Sequence, residues 1–344
     1  SDSTNGALLL EGQSTNIVNY SQDFSNSGWN KIAATITSNS DISPDGTQNS
    51  DLFVPNSSGG QIYDGLGSKP ASAISYTTSL YVKPKGLNSL RIYLHGSSNA
   101  NRGDATFNLS NQTVSFSNNG AFTSTSASIL NVGNGWYRCI LVTTSDTSTG
   151  LQLVIRYDGS TDNVSGLNLW GCQTEQGSYA TSYIPSLSGS ATTRLADVCN
   201  NSGSAQDFNS EEGVLYAEIS AFEGSDDTFA ISLNDGSSSN RIFLSLQTPE
   251  SRYRAYSTGG GDVTFEGLDV TSLSKVAVRY SLNNFSLWVN GVKRVETLTY
   301  AGIPSNTLNN LSFDRNGIGE LDYYGKVKDL QVFTTALTDE QLAA

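Results

Sequence analysis

Short runs in which apolar and polar residues alternate recur along the whole chain, separated by clusters of Gly, Ser and Asn. Examples are Ser75–Lys83, Leu90–His95, Trp136–Thr143, Leu151–Tyr157, Val214–Ile219, Arg241–Leu246, Lys275–Tyr280, Phe285–Val289 and Gly325–Phe333. A period of two sends successive side chains to opposite faces of an extended strand, so each run has one apolar face to bury. Many such strands joined by turn residues can satisfy that requirement by packing sheet on sheet. The pattern therefore predicts an all-β protein built as a sandwich or a barrel. A helix is expected only over Thr338–Ala344, where Thr338 suits the N-cap and Asp339 and Glu340 the first turn.

Two domains follow from length, because 344 residues exceed the usual size of one hydrophobic core. The least strand-like stretch, Ser186–Ser210, nearly lacks aromatic residues and lies between two strand-rich blocks. The boundary is placed there, giving domains over 1–198 and 205–344. No solenoid or propeller period is visible. The sequence opens SDSTNGALLL and holds no Met, which reads as a piece of a longer protein.

Charge excludes whole classes of function. A net charge of −13 opposes nucleic acid and anionic membranes, because phosphate binding draws on Lys and Arg. No apolar run is long enough to span a bilayer, so membrane insertion is not expected. Three cysteines, Cys139, Cys172 and Cys199, do not make a disulfide scaffold, and the first two sit in apolar contexts that suit a core.

Alternation also nominates binding residues. If Leu90, Ile92 and Leu94 face inward, Arg91, Tyr93 and His95 face outward. The same reasoning turns Gln152 and Arg156 outward from Leu151–Tyr157, and Tyr81 and Lys83 from Ser75–Lys83. Tyr81, Arg91, Tyr93, Gln152 and Arg156 are thus expected to line one concave sheet. Aromatic faces there suit stacking on sugar rings, and planar polar groups suit their hydroxyls. In the second domain Arg252, Arg254 and Tyr256 share a face, with Arg241 and Phe243 on a neighbouring strand. The competing reading is an ordinary solvent face or a contact to another subunit. Asp41, Asp45 and Asp51 crowd one loop region, and Asp226 and Asp227 begin a turn. Hard oxygen donors of this kind suit a structural Ca²⁺, although none follows the EF-hand pattern.

Several segments carry a resemblance. Leu8–Asn19, Tyr20–Trp29 and Ser43–Gly46, then Ser79–Gly86, Gly133–Cys139, Leu169–Ser186 and Thr193–Asp197, stand in an order that resembles jelly-roll domains of bacteriophage tail and head-fibre proteins. Those domains are similar to carbohydrate-binding modules appended to glycoside hydrolases. Glu212–Ser220, Lys275–Lys293 and Tyr323–Leu342 resemble the laminin-G/concanavalin-A-like sandwich, whose hairpin matches the turn Asn290-Gly291. The resemblance implies an all-β fold of two tandem antiparallel β-sandwich (jelly-roll) domains and core roles for Trp29 and Trp136, and raises the expectation of Ca²⁺; Trp288, which precedes the hairpin, is read as structural. It implies a virion fibre or adhesin module, displayed on the virion surface after synthesis in the bacterial cytoplasm. Its partners would be a bacterial surface glycan and other virion proteins, and the expected assembly is a homotrimer. The alternative is a purely structural decoration or assembly protein.

Catalysis has little support. His95 is the sole histidine, and no nucleophile-elbow motif accompanies it. Glu320-Leu-Asp322 suggests the carboxylate strand of concanavalin-like glucanases, but Gly325 stands where that pattern requires a second Glu. Arg102-Gly103-Asp104 is read as a chance tripeptide.

Overall fold

The computed structural model describes residues 6–222, 228–319 and 321–344. Among them strands dominate, the strands pair antiparallel apart from an isolated parallel bridge between Gly86 and Gly166, and the helix Asp339–Leu342 is the one α-helical element. The chain forms two compact units: Gln13–Leu195, and Ala196–Ala344 together with residues 6–12. Each unit is a β-sandwich, one of the two closures the alternation allows.

In the first unit the front sheet runs, in spatial order, Thr113–Asn119, Arg102–Asn108, Ser89–His95, Gly150–Arg156, Gln61–Ser68 and Asn30–Ile32. The back sheet runs Thr123–Gly133, Trp136–Thr144, Ser75–Lys85, Gly166–Gln176, Ser50–Pro55 and Ala34–Asp41. Leu90, Ile92, Leu94, Phe107, Leu153 and Ile155 meet Leu80, Val82, Cys139, Leu141, Leu167 and Leu169 between the sheets. Each such side chain contributes about 1.5–3 kcal/mol by leaving water. Trp29 and Trp136 are buried, and their indole N–H groups donate to the Tyr20 and Ile42 carbonyls at 2.9 and 3.1 Å.

The back sheet carries a bulge at Gly171-Cys172, where Gly171 takes φ +61° and a Cβ would lie 3.0 Å from the Tyr81 ring. Buried Asn16 closes it. Its amide donates to the Cys172 and Ile184 carbonyls, and its oxygen accepts from the Val18 and Thr174 N–H groups.

In the second unit the back sheet runs Leu8–Leu10, Gly325–Phe333, Gly213–Ala221, Ser274–Ser281, Asn284–Val289 and Val292–Thr297. The front sheet runs Gly261–Glu266, Arg252–Ser257, Arg241–Gln247, Thr228–Asn234 and Asn310–Ser312. Asn290 and Gly291 take φ of +53° and +72° and join Val289 to Val292, the tight hairpin expected of that pair. Trp288 is buried, with Arg279 and Lys293 each 5.8 Å from its ring. Thr338 caps the helix in a capping box with Gln341.

The first domain was expected to span 1–198, but the unit begins at Gln13 and ends at Leu195. The reason is Leu8–Leu10, which pairs with Val327, Lys326 and Gly325 and inserts Leu10 into the second unit's core. Within the stretch expected to divide the domains, Thr192–Arg194 pairs with Asn16–Ser14, while Asp197 exchanges hydrogen bonds with Glu11.

Candidate functional site

The outward face of the first unit's front sheet is a grid of cross-strand rows. One row holds Gln61, Arg156, Arg91 and Thr106. The next holds Tyr63, Val154, Tyr93 and Asp104, and a third Gly65, Gln152, His95 and Arg102. Arg91, Tyr93, Gln152 and Arg156 therefore do share one face, because the register brings their strands side by side.

Charge pairing holds this face in one arrangement. Arg91 donates to Asp104 at 3.1 Å and to Asp158 at 3.4 Å. Asp104, itself mostly buried, also accepts from Arg102 at 3.0 Å and from Asn119 at 2.7 Å. Arg156 pairs with Asp158. Burial lowers the Arg91 pKa, but Asp104 and Asp158 more than offset it, so the guanidinium is held more firmly protonated than usual. His95 Nδ1 donates to the Gly96 carbonyl, and its Nε2 lies 2.7 Å from Gln152 Oε1.

Two expectations need correction. Tyr81 does not join this face: it lies on Ser75–Lys85 of the back sheet, edge-on to Trp170 and Tyr183, with the Arg138 guanidinium 5.4 Å from its ring. Alternation gives a side chain's face within its own strand but not which sheet that strand joins. Tyr93 lies on the expected face but is only 4% exposed, because Arg91 and Arg102 cover its ring at 5.4 and 5.8 Å. Its role is to support guanidinium planes rather than to offer an open ring. Half-exposed Tyr63 is the more accessible aromatic. Sequence reasoning missed Tyr63, Arg102, Asp104 and Asp158. Two of them were legible: Gly103, Ala105 and Phe107 alternate inward, so the dismissed tripeptide places Arg102 and Asp104 outward.

On the front sheet of the second unit, Arg252, Arg254 and Tyr256 share a face with Arg241 and Phe243, as alternation predicts. Arg252 pairs with Glu266 at 2.7 Å and with Gln247 at 2.9 Å. Arg254 grips Asp262 through two bonds of 2.9 Å, which raises its pKa despite burial. Phe243 and Tyr256 stack with centroids 5.1 Å apart.

The acidic residues proposed for Ca²⁺ do not form one ligand set. Asp41 accepts from Lys83 at 2.8 Å, and that bond lowers its pKa. Asp45 caps its own turn through Ser43 and Thr47. Asp51 is buried and accepts the Phe24 and Asn39 N–H groups, and burial raises its pKa. Asp226 and Asp227 lie outside the described residues. Among the described residues no three His, Cys, Asp or Glu side chains converge as metal ligands. Glu320 likewise lies outside them. Its neighbour Asp322 accepts from the Tyr324 hydroxyl at 3.2 Å, with a pKa raised by burial.

Residues 213–343 match the family described as the concanavalin A-like lectin/glucanases superfamily. Among solved structures, the chain is similar to the CBM40 of the Ruminococcus gnavus IT-sialidase bound to alpha2,3 sialyllactose. That likeness has 14% identity and a TM-score of 0.34, and covers 43% of this chain and 93% of that one. It is similar to domains LG4-5 of the mouse laminin alpha1 chain at 10% identity and a TM-score of 0.30, covering 77% and 86%. For the Caenorhabditis elegans galectin LEC-6 the values are 13% and 0.27, covering 39% and 89%. No curated protein matches the chain.

Proposed function

We propose that this chain is a non-catalytic carbohydrate-binding module of a bacteriophage fibre or adhesin, attaching the particle to a polysaccharide on the host surface. The observation that carries the binding reading is the ion-paired face of the first unit, where Arg91, Arg102 and Arg156 are fixed by Asp104 and Asp158 over Tyr93. Sugar hydroxyls donate and accept at once, so they bridge fixed guanidinium–carboxylate pairs without charge of their own. Hydrogen bonds to charged groups contribute about 1.5–3 kcal/mol each. Preorganisation matters because the side chains lose little further freedom on binding. The virion setting rests on the resemblance of the first unit's motifs to fibre domains. A trimer would turn weak individual sites into firm attachment through avidity. A purely structural role would favour a dry apolar face, whereas this one is charged.

The test is a glycan array of capsule, lipopolysaccharide, plant and algal fragments, with and without Ca²⁺. Binding should occur and fall at least tenfold in an Arg91→Ala/Tyr93→Ala double variant that retains its fold. Binding that ignores the double substitution would move the site elsewhere. Silence of the folded protein under both conditions would favour the structural role.

A further inference from the structure

On the front face of the second unit, Arg241 lacks a counter-charge among the described residues. Arg252 and Arg254 are paired with Glu266 and Asp262, but among the described residues nothing hydrogen-bonds the Arg241 guanidinium. Its Nε and Nη1 are buried without partners. The plane lies against the stacked ring pair, 5.8 Å from the Phe243 centroid and 5.6 Å from that of Tyr256, which holds it in place without neutralising it.

Among the described residues, Asp235 and Asp314 on the flanking loops are committed elsewhere. Asp235, next to Arg241's cross-strand partner Asn234, accepts from Ser237 and Asn240. Asp314 accepts the backbone N–H groups of Asn316, Gly317 and Gly319. A half-buried cation with unmet donors is unfavourable unless an anion completes it. Nη2 is the nitrogen left at the surface, since it too lacks a partner yet is not among the buried atoms.

We infer that this face binds an acidic sugar, with a ring carboxylate at Arg241. The inference rests on the glycan-binding reading in taking the anion's carrier to be a sugar, and it specifies the ligand class for the second unit. The surroundings fit such a carrier. Tyr256 is half-exposed beside the guanidinium, and Gln247, Thr258 and Thr264 supply amide and hydroxyl groups on or beside the same strands. One uncompensated positive charge matches one carboxylate per sugar residue.

The experiment compares trigalacturonate with its methyl ester, which keeps the rings and hydroxyls but removes the charge, and with a sulfated galactose trisaccharide. Calorimetric titration of the full chain should show the acid binding at least tenfold more tightly than the ester. That preference should vanish in Arg241→Gln. The Arg241 Nε–H resonance of the wild-type protein should move with the acid and not with the ester, a readout that does not depend on a variant folding. Equal binding of acid and ester, survival of the preference in Arg241→Gln, or binding of the sulfated sugar alone would each overturn the inference. Neutral sugars bound without an acid preference would defeat this inference while leaving the glycan reading intact. Silence toward every sugar would defeat both.

Discussion

Asp64 sits on the core side of Gln61–Ser68, 4% exposed, with one long hydrogen bond of 3.4 Å from the Asn19 N–H. Burial, only slightly opposed by that bond, raises its pKa to about 6. A carboxyl that holds its proton more tightly when folded supports the fold fully below the unfolded pKa of 3.8, and that support is lost as pH rises toward 6. An Asp64→Asn variant stays neutral throughout. It should gain on the order of 3 kcal/mol over wild type at pH 8, and the gain should shrink toward zero by pH 4. Urea denaturation at the two pH values measures it, and an equal difference at both would disprove the assignment. At this scale the sequence was only partly legible. Alternation found Arg91, Gln152 and Arg156 because a strand's period is a local property. The covering of Tyr93 by Arg91 and Arg102 was hidden, because Arg102 arrives from a neighbouring strand.

Elements whose geometry is set by adjacent residues were the most legible. Asn290-Gly291 specifies its hairpin because both positions require positive φ, and Thr338 specifies a helix start through its hydroxyl. At Gly291 a Cβ would meet the Ala343 carbonyl oxygen at 3.0 Å while φ stays at +72°. Gly291→Ala should therefore cost about 1–2 kcal/mol, read as a lower melting temperature of the second unit. An unchanged melt would mean that the hairpin relaxes freely. Tyr81 shows the limit of local reading. Its strand pairs with Trp136–Thr144 and Gly166–Gln176, so its sheet is decided by partners more than fifty residues away.

At the scale of the whole molecule, each unit has its own core and should unfold in its own calorimetric transition. Leu10 is 5% exposed and belongs to the second unit's core although it precedes the first unit in sequence. Leu10→Ala should destabilise the second unit by about 2–5 kcal/mol and leave the other transition unmoved. A shift of the Gln13–Leu195 transition instead would contradict that placement. Nothing in the run LLL announces a partner more than three hundred residues away, which is why the domain limits read from composition missed it.

That pairing also orders events during synthesis. Leu8–Leu10 leaves the ribosome before the whole of Gln13–Leu195, whereas Gly325–Val327 emerges only after that unit and most of the second have followed. At about 5–20 residues per second, the early strand waits tens of seconds for its edge. The first unit can mature in that interval, while the second closes only when Gly325–Val327 returns to Leu8–Leu10. A pause or truncation late in translation would thus leave one finished sandwich and one open sheet with an apolar strand still unclaimed.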